Sequence, residues 1–97
     1  MAMYNPPHPG EFITEIYLVP NGISGRELAF KLNVAASTLS RILKGTSRVS
    51  PEMALRLAKS IGRTPESWLV MQDHYDLWQA RKNVDLQEVS ELKLALA

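Results

Sequence analysis

Six side chains between Ala36 and Lys44 share one side of the stretch if it coils as a helix: Ala36, Ser37, Thr38, Ser40, Arg41 and Lys44. All are small, hydroxylated or basic. That set suits the edge of a nucleic-acid duplex. The guanidinium fork of Arg41 can grip a guanine edge in two places, and Ala36 can only touch an apolar group such as a thymine methyl. Ser37, Thr38 and Ser40 can reach bases or phosphates. Lys44 and the loop residues Thr46, Ser47 and Arg48 suit phosphate oxygens, which take most contacts in such interfaces. For Arg41, a phosphate contact or a solvated charge is an equally open reading.

Catalytic chemistry has less support. His8 and His74 are far apart in the chain. His74 has Asp73 and Asp76 beside it, but one imidazole with two neighbouring acids is not a ligand set, and a helix-surface histidine explains it better. Glu11 and Glu15 stand four apart on one helix face, whereas paired carboxylates for hydrolysis face each other across a cleft. There is no glycine-rich phosphate loop. With no cysteine, there is no disulfide or thiolate metal site. No cofactor, no metal and no enzymatic activity are expected.

The elements that must present Ala36–Lys44 are legible around it. Ser24 is a helix N-cap, with Glu27 at capping-box spacing. Leu28, Ala29 and Leu32 form an apolar stripe. Asn33 tolerates the left-handed conformation that ends a helix. Val34 plugs the turn, and Leu39, Ile42 and Leu43 form a second stripe that Gly45 stops. Small Ala29 lets the two helices cross closely. Leu28, Leu32, Val34, Leu39 and Ile42 then share one core, with the polar set of the second helix outside. An ordinary helical hairpin with a polar face is the bland alternative.

On the N-terminal side, three prolines within the first nine residues exclude a helix. Residues 1–8 are expected as a flexible arm. Phe12, Ile13, Ile16 and Tyr17 predict an amphipathic first helix, ended by Val19-Pro20-Asn21-Gly22. On the C-terminal side, Ser50-Pro51 and Thr64-Pro65 are cap-then-proline starts. The first opens a helix faced by Met53, Ala54, Leu57, Ala58 and Ile61. The second opens a helix carrying Trp68, Met71, Tyr75 and Trp78 to about Arg81 or Lys82. Residues 9–82 form the domain, and residues 83–97 a tail in which Asp85 can cap a sixth helix. No β alternation is sustained, so the fold class is all-α with five helices, a sixth left open.

One domain is the expectation for 97 residues. The net charge of +1 is less informative than its distribution. Ser24 to Ser50 carries a net +4, and Glu66 to Ala97 a net −3. A basic centre beside an acidic C-terminal part predicts two different partners, although charge scatter gives the same pattern. No apolar run is long enough to span a bilayer and no signal pattern opens the chain, so a cytoplasmic protein without a membrane partner is expected.

The apolar positions and small Ala29 resemble the helix-turn-helix of phage-repressor-like (lambda-repressor-like) DNA-binding proteins. Further motifs follow in order: His8 to Glu11, Leu39 to Gly45, Ser50 to Lys59, Pro65 to Leu69 and Tyr75 to Ala80. Taken together, these resemble the HigA family of bacterial antitoxins. The resemblance implies a protein that silences a small mRNA-cleaving toxin and represses its own operon through double-stranded DNA. A stand-alone repressor of the same fold, or an interaction module that never meets DNA, remains an alternative. One recognition helix reads few base pairs, so a homodimer on palindromic half-sites is expected. Its interface is assigned to Trp68, Met71, Tyr75 and Trp78, or to the tail beyond them, because one small domain is hard pressed to bury both tryptophans and Tyr75; monomer core is the other open reading of that stripe, for Trp68 above all.

Overall fold

The computed structural model describes residues 5–95. Part of the expected arm, Met1–Tyr4, lies outside the described residues. Five helices carry the fold. The first, α1, is built from three consecutive segments, Pro9–Ile13, Thr14–Leu18 and Val19–Asn21. Then come α2 (Gly25–Leu32), α3 (Ala36–Leu43), α4 (Pro51–Ile61) and α5 (Pro65–Asn83). Among the described residues there is no strand, and no helix is long and apolar enough to cross a membrane.

Four of the five helices begin on a side-chain cap. His8 Nδ1 accepts from the Gly10 N–H at 2.9 Å, Ser24 Oγ from Glu27 at 3.1 Å, Ser50 Oγ from Met53 at 3.1 Å and Thr64 Oγ1 from Ser67 at 3.0 Å. Each satisfies a backbone donor that the first helical turn leaves open. α3 differs, because Ala35 precedes it and makes no side-chain cap. Ends are equally well defined. Asn33 adopts φ 58°, and the Val34 N–H reaches back to the Ala29 carbonyl at 3.0 Å. Gly22 and Gly45 close α1 and α3 in the same left-handed way.

α1 is not a uniform α-helix. Thr14–Leu18 is wound as a π-helix, wider by one residue per hydrogen bond. Pro20 supplies a reason, since it has no N–H to give and its ring would crowd the carbonyl four residues back. The wider turn shifts the buried face, so Ile13 and Leu18, five apart, enter the core. Ile16, expected on the core face, is 52% exposed.

The core gathers Ile13, Leu18, Leu28, Ala29, Leu32, Leu39, Ile42, Val49, Met53, Ala54, Leu57 and Trp68, with Val34 packed against it. The shared core expected of α2 and α3 is therefore present. Two departures concern the ends. Pro6 and His8 are buried, so residues 6–8 are packed rather than free as an arm, because His8 caps α1 and stacks edge-on to Tyr75 at 4.9 Å. The sixth helix is absent between Val84 and Ala95. Val84 turns extended at φ −94°, ψ 127°, and residues 85–95 are all exposed, so among the described residues nothing in the monomer supports an apolar helix face there.

α1 crosses α3 at Gly10. A methyl group on residue 10 would overlap the backbone carbonyl of Ile42. Gly10→Ala is therefore expected to destabilise the domain by about 1–3 kcal/mol, the usual range for overpacking. Urea unfolding of the variant measures this. A stability equal to wild type would mean that the helices are not in contact there.

Candidate nucleic-acid interface

Leu39 and Ile42 put one side of α3 into the core. Its other side faces water. Ala36, Ser37, Arg41 and Lys44 are exposed, while Thr38 and Ser40 are half-buried. Thr46 is exposed and Ser47 half-buried in the loop that follows. That loop is fixed to the helix end, because the Arg41 carbonyl accepts from the Thr46 N–H at 3.0 Å, from Ser47 N–H at 3.2 Å and from the Thr46 hydroxyl at 3.1 Å. The carbonyl end of Arg41 is thus held while its guanidinium is free to reach outward.

Sequence reasoning overlooked Arg26. It lies on the first turn of α2 and lines a groove with Gly25, Ala36, Ser37, Ser40 and Leu43. The groove joins the start of α2 to the outer side of α3, so Arg26 extends the basic surface from one helix to the next. Positive charge inside Ser24–Ser50 was the available signal, but spacing alone does not show that residues 26 and 37 meet.

Arg48 behaves differently from its expected role. Its Nε and NH2 donate to one oxygen of Asp76, at 3.2 and 2.8 Å, and Asp73 lies 3.6 Å away. Asp76 in turn accepts from Gln72 Nε2 at 3.0 Å, and Gln72 Oε1 accepts from the Val49 N–H at 2.8 Å. This chain of contacts ties the loop after α3 to α5. Two acids around one guanidinium leave that corner net negative, which disfavours phosphate. A second clasp was also missed. Arg56 on α4 donates to the carbonyls of Leu32 and Asn33, at 2.9 and 3.3 Å, and so holds the turn between α2 and α3.

Residues 15–69, more than half of the chain, match the helix-turn-helix family. The structure is similar to Pseudomonas aeruginosa antitoxin HigA with the higBA promoter, at a TM-score of 0.82 and 30% identity over 95% of this chain and 100% of that one. The chain belongs to the HigA group of the helix-turn-helix family. It is also similar to antitoxin GraA, at a TM-score of 0.87 and 36% identity, covering 93% of this chain and 100% of that one. An uncharacterized HTH-type transcriptional regulator of Escherichia coli (strain K12), YddM, is 40% identical over 92 residues, 95% of this chain and 97% of that protein.

In this helix-turn-helix protein the residues assigned to a dimer surface separate. Trp68 is wholly buried in the monomer, with Nε1 donating to the Gly62 carbonyl at 3.0 Å and Arg63 stacked 5.7 Å from its ring. It cannot be a contact between copies, because the single domain has enough apolar surface to enclose it. Met71 and Tyr75 are half-buried, Tyr75 against His8. Trp78 is half-exposed near the end of α5, with Lys82 Nζ 3.9 Å over its ring. Among the described residues, no group of three or more His, Cys, Asp and Glu could hold a metal ion.

Two predictions follow from the ties around the loop. Removing the buried acceptor in Gln72→Leu strands the Val49 N–H and is expected to cost about 1–3 kcal/mol. Asp76→Asn breaks a largely exposed ion pair and should cost under about 1 kcal/mol. Equal losses in urea unfolding would mean that the buried bond is not the stronger anchor. The second concerns His8. Burial holds its imidazole below the ordinary value, against the opposing pull of Asp76, a Ser47 backbone hydrogen bond and Glu11. The neutral form is favoured in the fold, so this contribution is complete above about pH 6.5. It is lost as pH falls through the lower folded value. Urea midpoints taken from pH 7.5 down to about pH 5 should fall in wild type. They should fall less in His8→Asn, which keeps a capping oxygen and does not titrate. Parallel curves would contradict the role of His8.

Proposed function

We propose that the chain is an antitoxin that neutralises an mRNA-cleaving toxin and represses its own operon by sequence-specific DNA binding. The observation that carries the DNA half is the exposure of Ala36, Ser37, Arg41 and Lys44 beside Arg26, while Leu39 and Ile42 lock the opposite side of α3. Arg41 reads a base edge. Ser37, Thr38 and Ser40 approach bases or the sugar-phosphate chain, and Ala36 lies against an apolar group. Arg26, Lys44, Thr46 and Ser47 meet phosphates. Two copies present their α3 helices to half-sites roughly 34 Å apart. The HigA structure with its promoter supports this reading, and likeness to HigA and GraA antitoxins supports the toxin.

A second reading is a regulator without a toxin. It is favoured by the nearly full-length match to YddM, a protein described as a transcriptional regulator. Co-expression with the neighbouring gene separates the two. The antitoxin reading expects a small basic protein that co-purifies and whose mRNA cleavage stops on binding. A neighbour that neither binds nor cleaves leaves the regulator.

Gel-shift titrations on the operator test the interface. Arg41→Ala is expected to weaken binding by about 1–3 kcal/mol and to relax one base position. Lys44→Ala and Arg26→Ala should weaken binding to all sequences alike and each lower the salt slope by about one. Arg48→Ala should leave the slope unchanged, because Asp76 already neutralises that charge. Affinity that is insensitive to salt would remove phosphate contacts from the account.

A further inference from the structure

His8 does more than cap α1. Its Nδ1 accepts from the Gly10 N–H at 2.9 Å, so the proton of the neutral ring sits on Nε2. The residue is 7% exposed and its ring stands edge-on to Tyr75 of α5 at 4.9 Å. Its remaining side meets the loop after α3. A Cβ on Gly45 would lie 3.8 Å from the His8 Cγ, and the ring shares a hydrogen bond with the Ser47 backbone that favours its protonated form. Only an acceptor has that effect, and the main-chain acceptor of Ser47 is its carbonyl. One imidazole therefore ties α1, α5 and the loop together.

Pinning that carbonyl fixes the rest of its peptide unit. The unit is planar and trans, so the Arg48 N–H points away from the ring. The Arg48 guanidinium is occupied by Asp76, but among the described residues the Arg48 N–H bonds no backbone carbonyl. The peptide lies between two other anchors. The Arg41 carbonyl holds the N–H groups of Thr46 and Ser47, and Gln72 holds that of Val49. Neither anchor sets the rotation of the Ser47–Arg48 peptide between them, whereas His8 does.

We propose that His8 is a positioning residue for DNA binding, holding the Ser47–Arg48 peptide so that the Arg48 N–H and the Ser47 hydroxyl close on one phosphate of each half-site. The proposal rests on the DNA reading above and deepens it. Residue 48 then contributes through its main chain and not through its guanidinium. Two donors converge on one anion only if the peptide is held, because a peptide free to turn pays for that alignment in conformational entropy.

Gel-shift titrations on half-site duplexes test this, with each phosphate in turn replaced by a neutral methylphosphonate. In the wild type, one replacement beside the loop should cost about tenfold in affinity. Ser47→Ala should shrink the penalty at that phosphate alone. His8→Asn keeps a capping oxygen for Gly10 but is too short to reach Ser47. It should cut the penalty at the same phosphate to under about threefold, while the other phosphates keep theirs. A second measurement needs no variant. In the NMR spectrum of the wild type, the Arg48 amide proton should move downfield on binding the half-site, and should move less with the duplex that carries the methylphosphonate. Three results would overturn the proposal: a His8→Asn chain that keeps the full penalty, a loss spread evenly over every phosphate, or an Arg48 amide that stays in place while the duplex is bound. A wild-type chain whose binding ignores every methylphosphonate would overturn the DNA reading itself, and the proposal with it.

Discussion

The contact between Gly10 and the Ile42 carbonyl sets the position of everything that faces outward. α1 and α3 meet backbone to backbone, closer than any side chain on residue 10 would allow. Leu39 and Ile42 then have one place to go, into a core with Ile13, Leu28 and Trp68. Close packing of this kind leaves little freedom of rotation, because turning the helix would open voids on one side and overlaps on the other. The rotation of α3 about its own axis follows from its dry side. Its wet side is a consequence of the same packing, held rigid without contributing to the core.

The charged groups are sorted by the same frame. Arg56 serves the fold by holding the carbonyls that end α2, and Arg48 is held against α5 by Asp76. Arg26, Arg41 and Lys44 remain on the open side. A count of basic residues between Ser24 and Ser50 treats Arg26, Arg41, Lys44 and Arg48 alike. Only the placement of acids on α5, far along the chain, shows which cations are already neutralised. The basic surface is therefore smaller and more directed than composition suggests. It spans the start of α2 and the length of α3.

Much of the helix plan was legible in the residues. Ser24, Ser50 and Thr64 announce helix starts by cap chemistry, and Asn33, Gly22 and Gly45 announce ends by tolerance of the left-handed conformation. Those signals are local, so a single sequence carries them. What escaped depends on distant partners. Gln72 reads as an ordinary polar helix residue until Val49 is found against it. Ile16 and Leu18 exchange roles because one π-turn beside Pro20 shifts the register of α1. Trp68 reads equally as core or as interface in the sequence, and only the distant Phe12, Tyr17 and Arg63, which close over it, decide for the core. The leucines of the tail carry a helical period as well as a strand-like one, and the monomer offers no surface to decide between them.

The account stands on α3 entering the major groove with Ser37 leading. A chain with Ser37→Cys, labelled with a DNA-cleaving iron chelate, tests it directly on operator DNA. The account predicts cuts confined to the major groove of each half-site, with none from the same label on Leu55, an exposed position of α4. Cuts of equal strength from both labels, or from Leu55 alone, would contradict it.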